Sequence, residues 1–494
     1  MTTRVAWGSL AVWLFWSNQA AAHAWGNSYS LPIPLAMYAY GATAALVISF
    51  VLVGYFSQAG ADTSADLQRL PSLTDVAPSA GLSRILVIGR AASVLGLGLT
   101  VVTGLFGNPS PFANFSMNFF WVIFVLGFTY VTSLTGDLYS VINPWKVLCE
   151  WTQGAGWPVF IARRQYPKWA GYWPAIVLYG IFIWIELFAN TGPRRLAISL
   201  SAYSVITLLG AGVFGPRQWF QYGEFFSVFL RLISKLAPLE FVAGRGGTSL
   251  RLRRPFEALI GAPADHPTLP LFILFMLSST AFDGAHETLP WVNIFWKVIF
   301  PGLSPLITLI GLKPLEVAPS LYYVWQWTML ALSPLVYYGI YRLFIWLTKI
   351  VMRSEMSVGQ LACHFALSLI PIAFVYHASH YFALLLTEGP NIVARVSDPF
   401  GFGWNLFGTA SKDLAIIPPA GLVWHTQVWL ILAGHIVSVY VAHAQALRLF
   451  PSRARALRSQ LPMLVLMVIL TSLGLWILSL PIAAGQVNSS FSLG

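Results

Sequence analysis

Five histidines, His364, His377, His380, His435 and His443, lie within apolar stretches of the last third of the chain. A titratable ring in hydrocarbon is costly and rare, so each is a candidate functional group. His377 and His380 are three residues apart, which makes them neighbours on one face of a helix. His435 falls near the middle of the next apolar stretch and His425 at its outer end. If those two stretches run antiparallel, the three or four rings could meet at a similar depth. Carboxylates approach the same level. Asp283, with His286 and Glu287, ends an earlier apolar stretch, and Asp398 and Asp413 sit in the loop between the two His-bearing segments. Imidazole nitrogens with carboxylate oxygens suit a divalent metal such as Zn or Cu. The expected site is therefore a metal held by His377, His380 and His435, with Asp283 as a catalytic general base or further ligand.

Two other readings of the same rings stay open. Each histidine could simply bond a carbonyl or hydroxyl between packed helices, and for any one of them that is the plainer reading. Alternatively, a single haem b could sit between His377 or His380 and His435. A stacked haem pair is disfavoured, because His364 and His377 point about 140° apart and His435 and His443 about 80° apart. Two acids add a further clue. Asp137 and Glu186 also fall inside apolar stretches, where they could belong to a proton or cation path. The plainer alternatives are that Asp137 caps the following turn or pairs with Lys146, and that Glu186 pairs with Arg194 or Arg195 near an interface.

The elements that must position these groups follow from composition. Of 494 residues, 57% are hydrophobic and only 9% charged, a balance no soluble surface could cover. With 21 Trp and 19 Tyr available for the interfaces, the chain reads as a multi-pass membrane protein. About 20 helical residues cross the hydrocarbon. Stretches of that kind recur near 34–56, 85–107, 117–137, 170–190, 197–216, 269–287, 322–348, 359–387, 423–446 and 461–484. The expected fold is thus all-α, a polytopic transmembrane helix bundle of about ten spans forming a single integral membrane domain over 23–494. The stretch 289–318 contains Lys297 and is interrupted by Pro290, Pro301, Pro305 and Pro314, so it is expected to be interfacial or re-entrant. Cys149 and Cys363 are at no metal-like spacing and read as packing residues.

The N-terminus has Arg4, an apolar run from Val5 to Trp16 and then Ala20-Ala21-Ala22, the pattern of a signal peptide over 1–22. Cleavage would leave His23 first, and a terminal amine beside an imidazole can chelate copper; an uncleaved anchor is the other possibility. Basic residues then set the orientation. With the mature N-terminus outside, only Arg194, Arg195, Lys297, Lys313, Arg395 and Lys412 face outward, and the C-terminus also lies on the outer face. That one-sided split accounts for the net charge of +11 without any nucleic-acid partner; the bilayer is the partner the sequence specifies, and no partner subunit is identifiable.

Several short motifs resemble a family. Leu31-Pro32-Ile33-Pro34, Gly136-Asp137 followed by Asn143-Pro144-Trp145-Lys146, and Phe282-Asp283-Gly284 are joined in the C-terminal third by His380-Tyr381-Phe382, Asp398-Pro399, Gly403-Trp404, Gly434-His435, Ala442-His443 and Ser472-Leu473-Gly474-Leu475-Trp476. As a set they are similar to bacterial multi-pass membrane proteins known as fenitrothion hydrolases. The resemblance implies a bacterial inner-membrane protein that hydrolyses lipophilic organophosphate esters; it assigns no residue a role. No HExxH, His-x-His or Gly-x-Ser-x-Gly pattern occurs. A metal- or haem-handling protein and a membrane transporter therefore stand beside the metal-dependent hydrolase as alternatives.

Overall fold

A computed structural model describes residues 21–24, 27–30, 33–56, 75–76, 80–157, 159–160, 162–189, 191–244, 247–261, 264–450 and 452–480. Residues 1–20, which carry most of the expected signal peptide, lie outside that set, and Ala21–Ala24 pairs with Asn27–Ser30 in an antiparallel hairpin, β1 and β2. The remaining elements are helices and one small sheet. In chain order the helices are α1 (Leu35–Phe56), α2 (Ala80–Phe106), α3 (Phe115–Thr135), α4 (Pro144–Gly154), α5 (Trp173–Phe188), α6 (Pro193–Phe214), α7 (Phe225–Ile233), α8 (Leu269–His286), α9 (Leu289–Leu309), α10 (Pro314–Met352), α11 (Val358–Glu388), α12 (Ala420–Leu449) and α13 (Arg453–Ser479). Among the described residues, ten of them are long and apolar enough to cross a membrane. The protein is an all-α, polytopic helix bundle.

Those ten differ from the ten expected stretches at two places. The segment 170–190 forms α5, only 16 residues and roughly 24 Å long. The segment 289–318, expected to be broken, is continuous helix over Leu289–Leu309. Pro290 occupies the first turn, where no N–H is needed, Pro301 directly follows a π-type turn over Phe295–Ile299 that interrupts the regular ladder, and Pro305 stays inside the helix. α10 then runs for 39 residues, roughly 58 Å, nearly twice the hydrocarbon thickness. Its surplus N-terminal turns carry Ala318, which packs with Phe295, Phe300 and Ile307 of α9 in a small apolar cluster separate from the main core.

Local chemistry sets the ends that matter for the site. The Asn143 side chain accepts bonds from the backbone N–H groups of Trp145 and Lys146, and Pro144 fills the first turn, so α4 starts there. Glu224 caps α7 in the same manner, accepting from Phe226 and Ser227. Ser357 and Gln360 form a reciprocal capping box at the start of α11. Gly136 ends α3 with φ +89°, and a Cβ there would collide with the Leu239 carbonyl of strand β4. Strands β4 (Leu239–Gly244) and β5 (Gly247–Leu252) make a hairpin, with β3 (Asp75–Val76) added antiparallel to β5.

α8 is the centre of the bundle: 89% of its apolar window is buried, against 11% for α2. It packs on α10 and α11, α11 packs on α12, and α13 closes the group by touching α1, α10 and α12. α2 pairs with α6 at the periphery, where Ile85, Val87, Ile88 and Leu95 stand exposed, as a lipid-facing surface requires.

Candidate functional site

α8, α11 and α5 bring one carboxylate, one imidazole, one phenol and a second carboxylate into contact. The apolar run of α8 ends in Phe282-Asp283-Gly284, which places Asp283 one turn before the helix terminus. On α11, His377, His380 and Tyr381 share a face at i, i+3 and i+4. His380 Nε2 lies 2.9 Å from Asp283 Oδ2, and the Tyr381 hydroxyl donates to the same oxygen at 2.5 Å. Because a carboxylate only accepts, the Nε2–H of His380 must be the donor, which leaves Nδ1 as the free ring nitrogen. Gly284 borders that edge; its nearest would-be Cβ contacts are Ile477 Cγ2 at 2.9 Å and His380 Cε1 and Nδ1 at 3.8 Å. Glu186 of α5 completes the row, with Oε1 3.4 Å from the Tyr381 hydroxyl.

Tyr381 sits between two rings, 4.6 Å from the His380 centroid and 5.0 Å from that of His377. His377 also meets the rings of Tyr130 and Phe229, each at 6.1 Å, and its Nδ1 is buried without a hydrogen-bond partner. His377, Tyr381, Asp283 and Glu186 all line an internal cavity of about 30 Å³, walled by Phe124, Phe182, Phe225 and Phe229. That is room for one or two waters. The wall of α3 facing it is wound with π-type geometry over Asn118–Phe128, a departure often found beside functional sites.

The metal site expected from sequence is not assembled. Among the described residues, no three His, Cys, Asp or Glu side chains are grouped to hold a metal ion. His435 is the reason within the expected trio: its Nδ1 is turned back to the Ile431 carbonyl at 2.8 Å and its ring lies 6.0 Å from Tyr376, not against Tyr381. Tyr376 is itself held away from that group, its hydroxyl donating to the Leu470 carbonyl of α13. For a single haem between His377 or His380 and His435, the Nδ1 of His435 is already engaged by the Ile431 carbonyl. The other candidates are spent elsewhere. His286 donates from Nδ1 to the Asp283 carbonyl at 2.8 Å and stacks on Phe282. Asp398 accepts from the backbone of Phe402 and Gly403, and Asp413 from that of Ala415, so both organise the loop between α11 and α12. His425 meets Tyr38, His364 pairs with Gln445, and His443 with Gln460. Asp137 caps the turn that follows it, accepting from the Ser140 N–H.

Residue type alone did not single out two buried polar side chains of this region. Tyr381 was hidden among 19 tyrosines, and its signal was adjacency to His380. Glu224 is fully buried, bonded by Tyr203 and 3.3 Å from the Asn143 amide nitrogen, and looks in sequence like any acid between Gly223 and Phe225.

A second and much larger cavity, about 810 Å³, opens on the other side of α7. The short helix is two-faced: Phe225, Phe226, Phe229 and Leu230 line the first cavity, while Ser227, Arg231 and Leu232 line the second. Comparison of the chain with known protein families, with curated proteins and with solved structures gives no match in any of the three.

Proposed function

We propose that this multi-pass membrane protein is a hydrolase of lipophilic organophosphate esters whose general base is His380, oriented by Asp283. The observation that carries the reading is the 2.9 Å bond between His380 Nε2 and Asp283 Oδ2. Two of the motifs that resemble fenitrothion hydrolases, Phe282-Asp283-Gly284 and His380-Tyr381-Phe382, meet in that one contact although nearly a hundred residues separate them. Asp283 accepts two hydrogen bonds on one oxygen, so it serves better as the group that fixes the imidazole tautomer than as the base itself. His380 Nδ1 then takes a proton from water as the water oxygen bonds to phosphorus, and the aryloxide leaves with the electrons of the broken P–O bond. Asp283 stabilises the imidazolium that forms. The chemistry is assigned to His380 and Asp283 themselves, since among the described residues no three His, Cys, Asp or Glu side chains are grouped to hold a metal.

The test uses purified protein in lipid nanodiscs with a dialkyl nitrophenyl phosphorothioate, following nitrophenol release. Wild type should turn over, and His380→Ala should be slower by about 10²–10⁴-fold, the usual contribution of a positioned acid or base. Absence of turnover in folded wild type sinks the reading.

Proton-coupled transport is the second reading, favoured by the unbroken row Glu186, Tyr381, Asp283, His380. A proton on Glu186 would donate into the phenol oxygen while the phenol proton is held by Asp283, which is the arrangement of a relay. Proteoliposomes carrying a pH-sensitive dye distinguish it: substrate-driven proton uptake, abolished in Glu186→Gln and without ester cleavage, selects transport.

Placement in a bacterial inner membrane with both termini outside belongs to the same proposal. With α5 crossing and α9 held at the interface beside the surplus turns of α10, the basic loops fall on one side. The contacts agree with that parity, since Glu186, Asp283 and Tyr381 would all lie in outer halves of their spans and are found together.

A further inference from the structure

The 810 Å³ cavity on the far side of α7 is lined by four cations, Lys146, Arg217, Arg231 and Lys235, and three carboxylates, Asp137, Glu150 and Asp265. The acids are largely engaged. Glu150 is paired with Arg90, outside the cavity lining; Asp265 accepts from the Tyr172 hydroxyl at 2.9 Å; Asp137 accepts from the Ser140 N–H at 3.1 Å. Setting Glu150 against Arg90 leaves four cations facing two carboxylates, an excess of two positive charges. The cations, by contrast, keep unused donors. Lys146 spends one on the Ser140 carbonyl at 2.7 Å, and Arg231 donates to the Gln221 carbonyl at 2.6 Å with a longer reach of 3.5 Å to Tyr172. Arg217 is exposed at the rim, and the Lys235 ammonium makes no side-chain hydrogen bond among the described residues. Burial pushes the Lys235 ammonium below the usual lysine range, and the nearby Arg231 and Arg253 push it further. Asp265 and Asp137 offset part of this charge, and the remaining excess of two favours an anion in the cavity.

We propose that this cavity binds a phosphate group, held by Lys146, Arg231 and Lys235 with Arg217 at the mouth. The size suits it, since ligand pockets run from about 300 to 1,000 Å³. Charge suits it too, because a phosphate carries about −1.5 to −2 at neutral pH, close to the excess of two. Arginine supplies the fork that phosphate oxygens accept in pairs, and lysine the point charge beside it. This inference does not rest on the ester-hydrolase reading, because α7 separates the phosphate cavity from Asp283 and His380.

The source is either soluble phosphate or a lipid headgroup, and one experiment separates them. Full-length protein in phosphatidylcholine nanodiscs is titrated with inorganic phosphate by calorimetry, at low and moderate sodium chloride. Saturable binding that weakens with salt, is at least tenfold weaker in Lys235→Gln and in the rim variant Arg217→Gln, and is unchanged in the outer-loop variant Lys412→Gln supports the soluble source. Binding of phosphatidic acid supplied in the nanodisc, weakened by the same two variants while inorganic phosphate gives no heat, supports the headgroup. If neither probe binds folded wild type saturably, or if Lys412→Gln weakens binding as much as the two cavity variants, the proposal is overturned. Arg217 is exposed, so its variant remains informative should Lys235→Gln fail to fold.

Discussion

The two faces of α7 handle charge in opposite ways. Toward Asp283 the ionisable groups are few and bonded to each other: one carboxylate oxygen accepts from an imidazole and a phenol, in a space for one or two waters walled by phenylalanines. Toward Lys235 they are many, partly unmatched, and spread around 810 Å³. A dry cluster is rigid because every removed partner strands another buried group, whereas a wide cavity lets water and counter-ions answer each charge. The first arrangement suits a defined proton position and the second suits capture of a charged ligand. A nine-residue helix can maintain both because Phe225, Phe226, Phe229 and Leu230 fall on one cavity and its polar residues Ser227 and Arg231 on the other.

The contrast is open to attack from either side. Removing the hub should do the most harm: Asp283→Ala strands His380 and Tyr381 together, with an expected loss of about 3–5 kcal/mol. Thermal unfolding in detergent measures it, and Asp283→Asn should fall in between. Next comes the partition itself. Phe229 is buried against His377, and Phe229→Ala should cost about 3 kcal/mol, toward the low end for a buried Phe→Ala change, while enlarging the small cavity beside His377. Labelling of His377 by diethylpyrocarbonate should rise sharply; an unchanged rate would mean that Phe229 is not the seal. Gly136→Ala should destabilise by about 1–3 kcal/mol, because φ is positive there and the Leu239 carbonyl blocks a Cβ. Glu186→Gln should cost under about 1 kcal/mol, since its contact with Tyr381 is long at 3.4 Å. A large loss there would place Glu186 in the structural hub, not at its margin.

The gentlest probe lies on the basic side. Lys235 has a folded pKa below its unfolded one, through burial first and then through Arg231 and Arg253, with Asp265 and Asp137 opposing. Between those two pKa values the unfolded chain binds more protons, so stability should rise with pH through that window and level off above the ordinary lysine value. Lys235→Gln should flatten this alkaline rise. Inorganic phosphate should flatten it as well, by restoring the charged form.

Much of the architecture was legible in advance because hydropathy is a property of consecutive residues. Apolar runs long enough for the bilayer announce themselves, whatever they later touch. Two local differences in helix length and continuity have physical causes that no run of residues displays. Prolines at 290 and 301 read as breaks, yet the first falls in the opening turn and the second directly after a π-type turn that already interrupts the ladder. The 170–190 run has the right composition but winds only 16 residues into helix. In the candidate site, the pairing of His377 with His380 on one face follows from helical spacing, and Asp283 was marked by its position at the end of an apolar stretch. His435 was placed with them by depth alone. Depth along a helix is written in the sequence; the direction a side chain faces depends on which neighbour claims it, and Ile431 and Tyr376 claim His435.

The sequence by itself determined that this protein lives in a membrane as a bundle of apolar helices, and that a few titratable groups are buried at stated depths. Both follow from local composition, since a helix satisfies its own backbone in hydrocarbon without help from any partner. Only the tertiary structure decided which of those groups meet. Asp283, His380 and Tyr381 come together because α8 is buried at the centre against α11, and α7 divides the interior because Glu224 caps it deep within the protein. Such meetings depend on how helices rotate and cross, which is settled by packing between residues far apart in the chain.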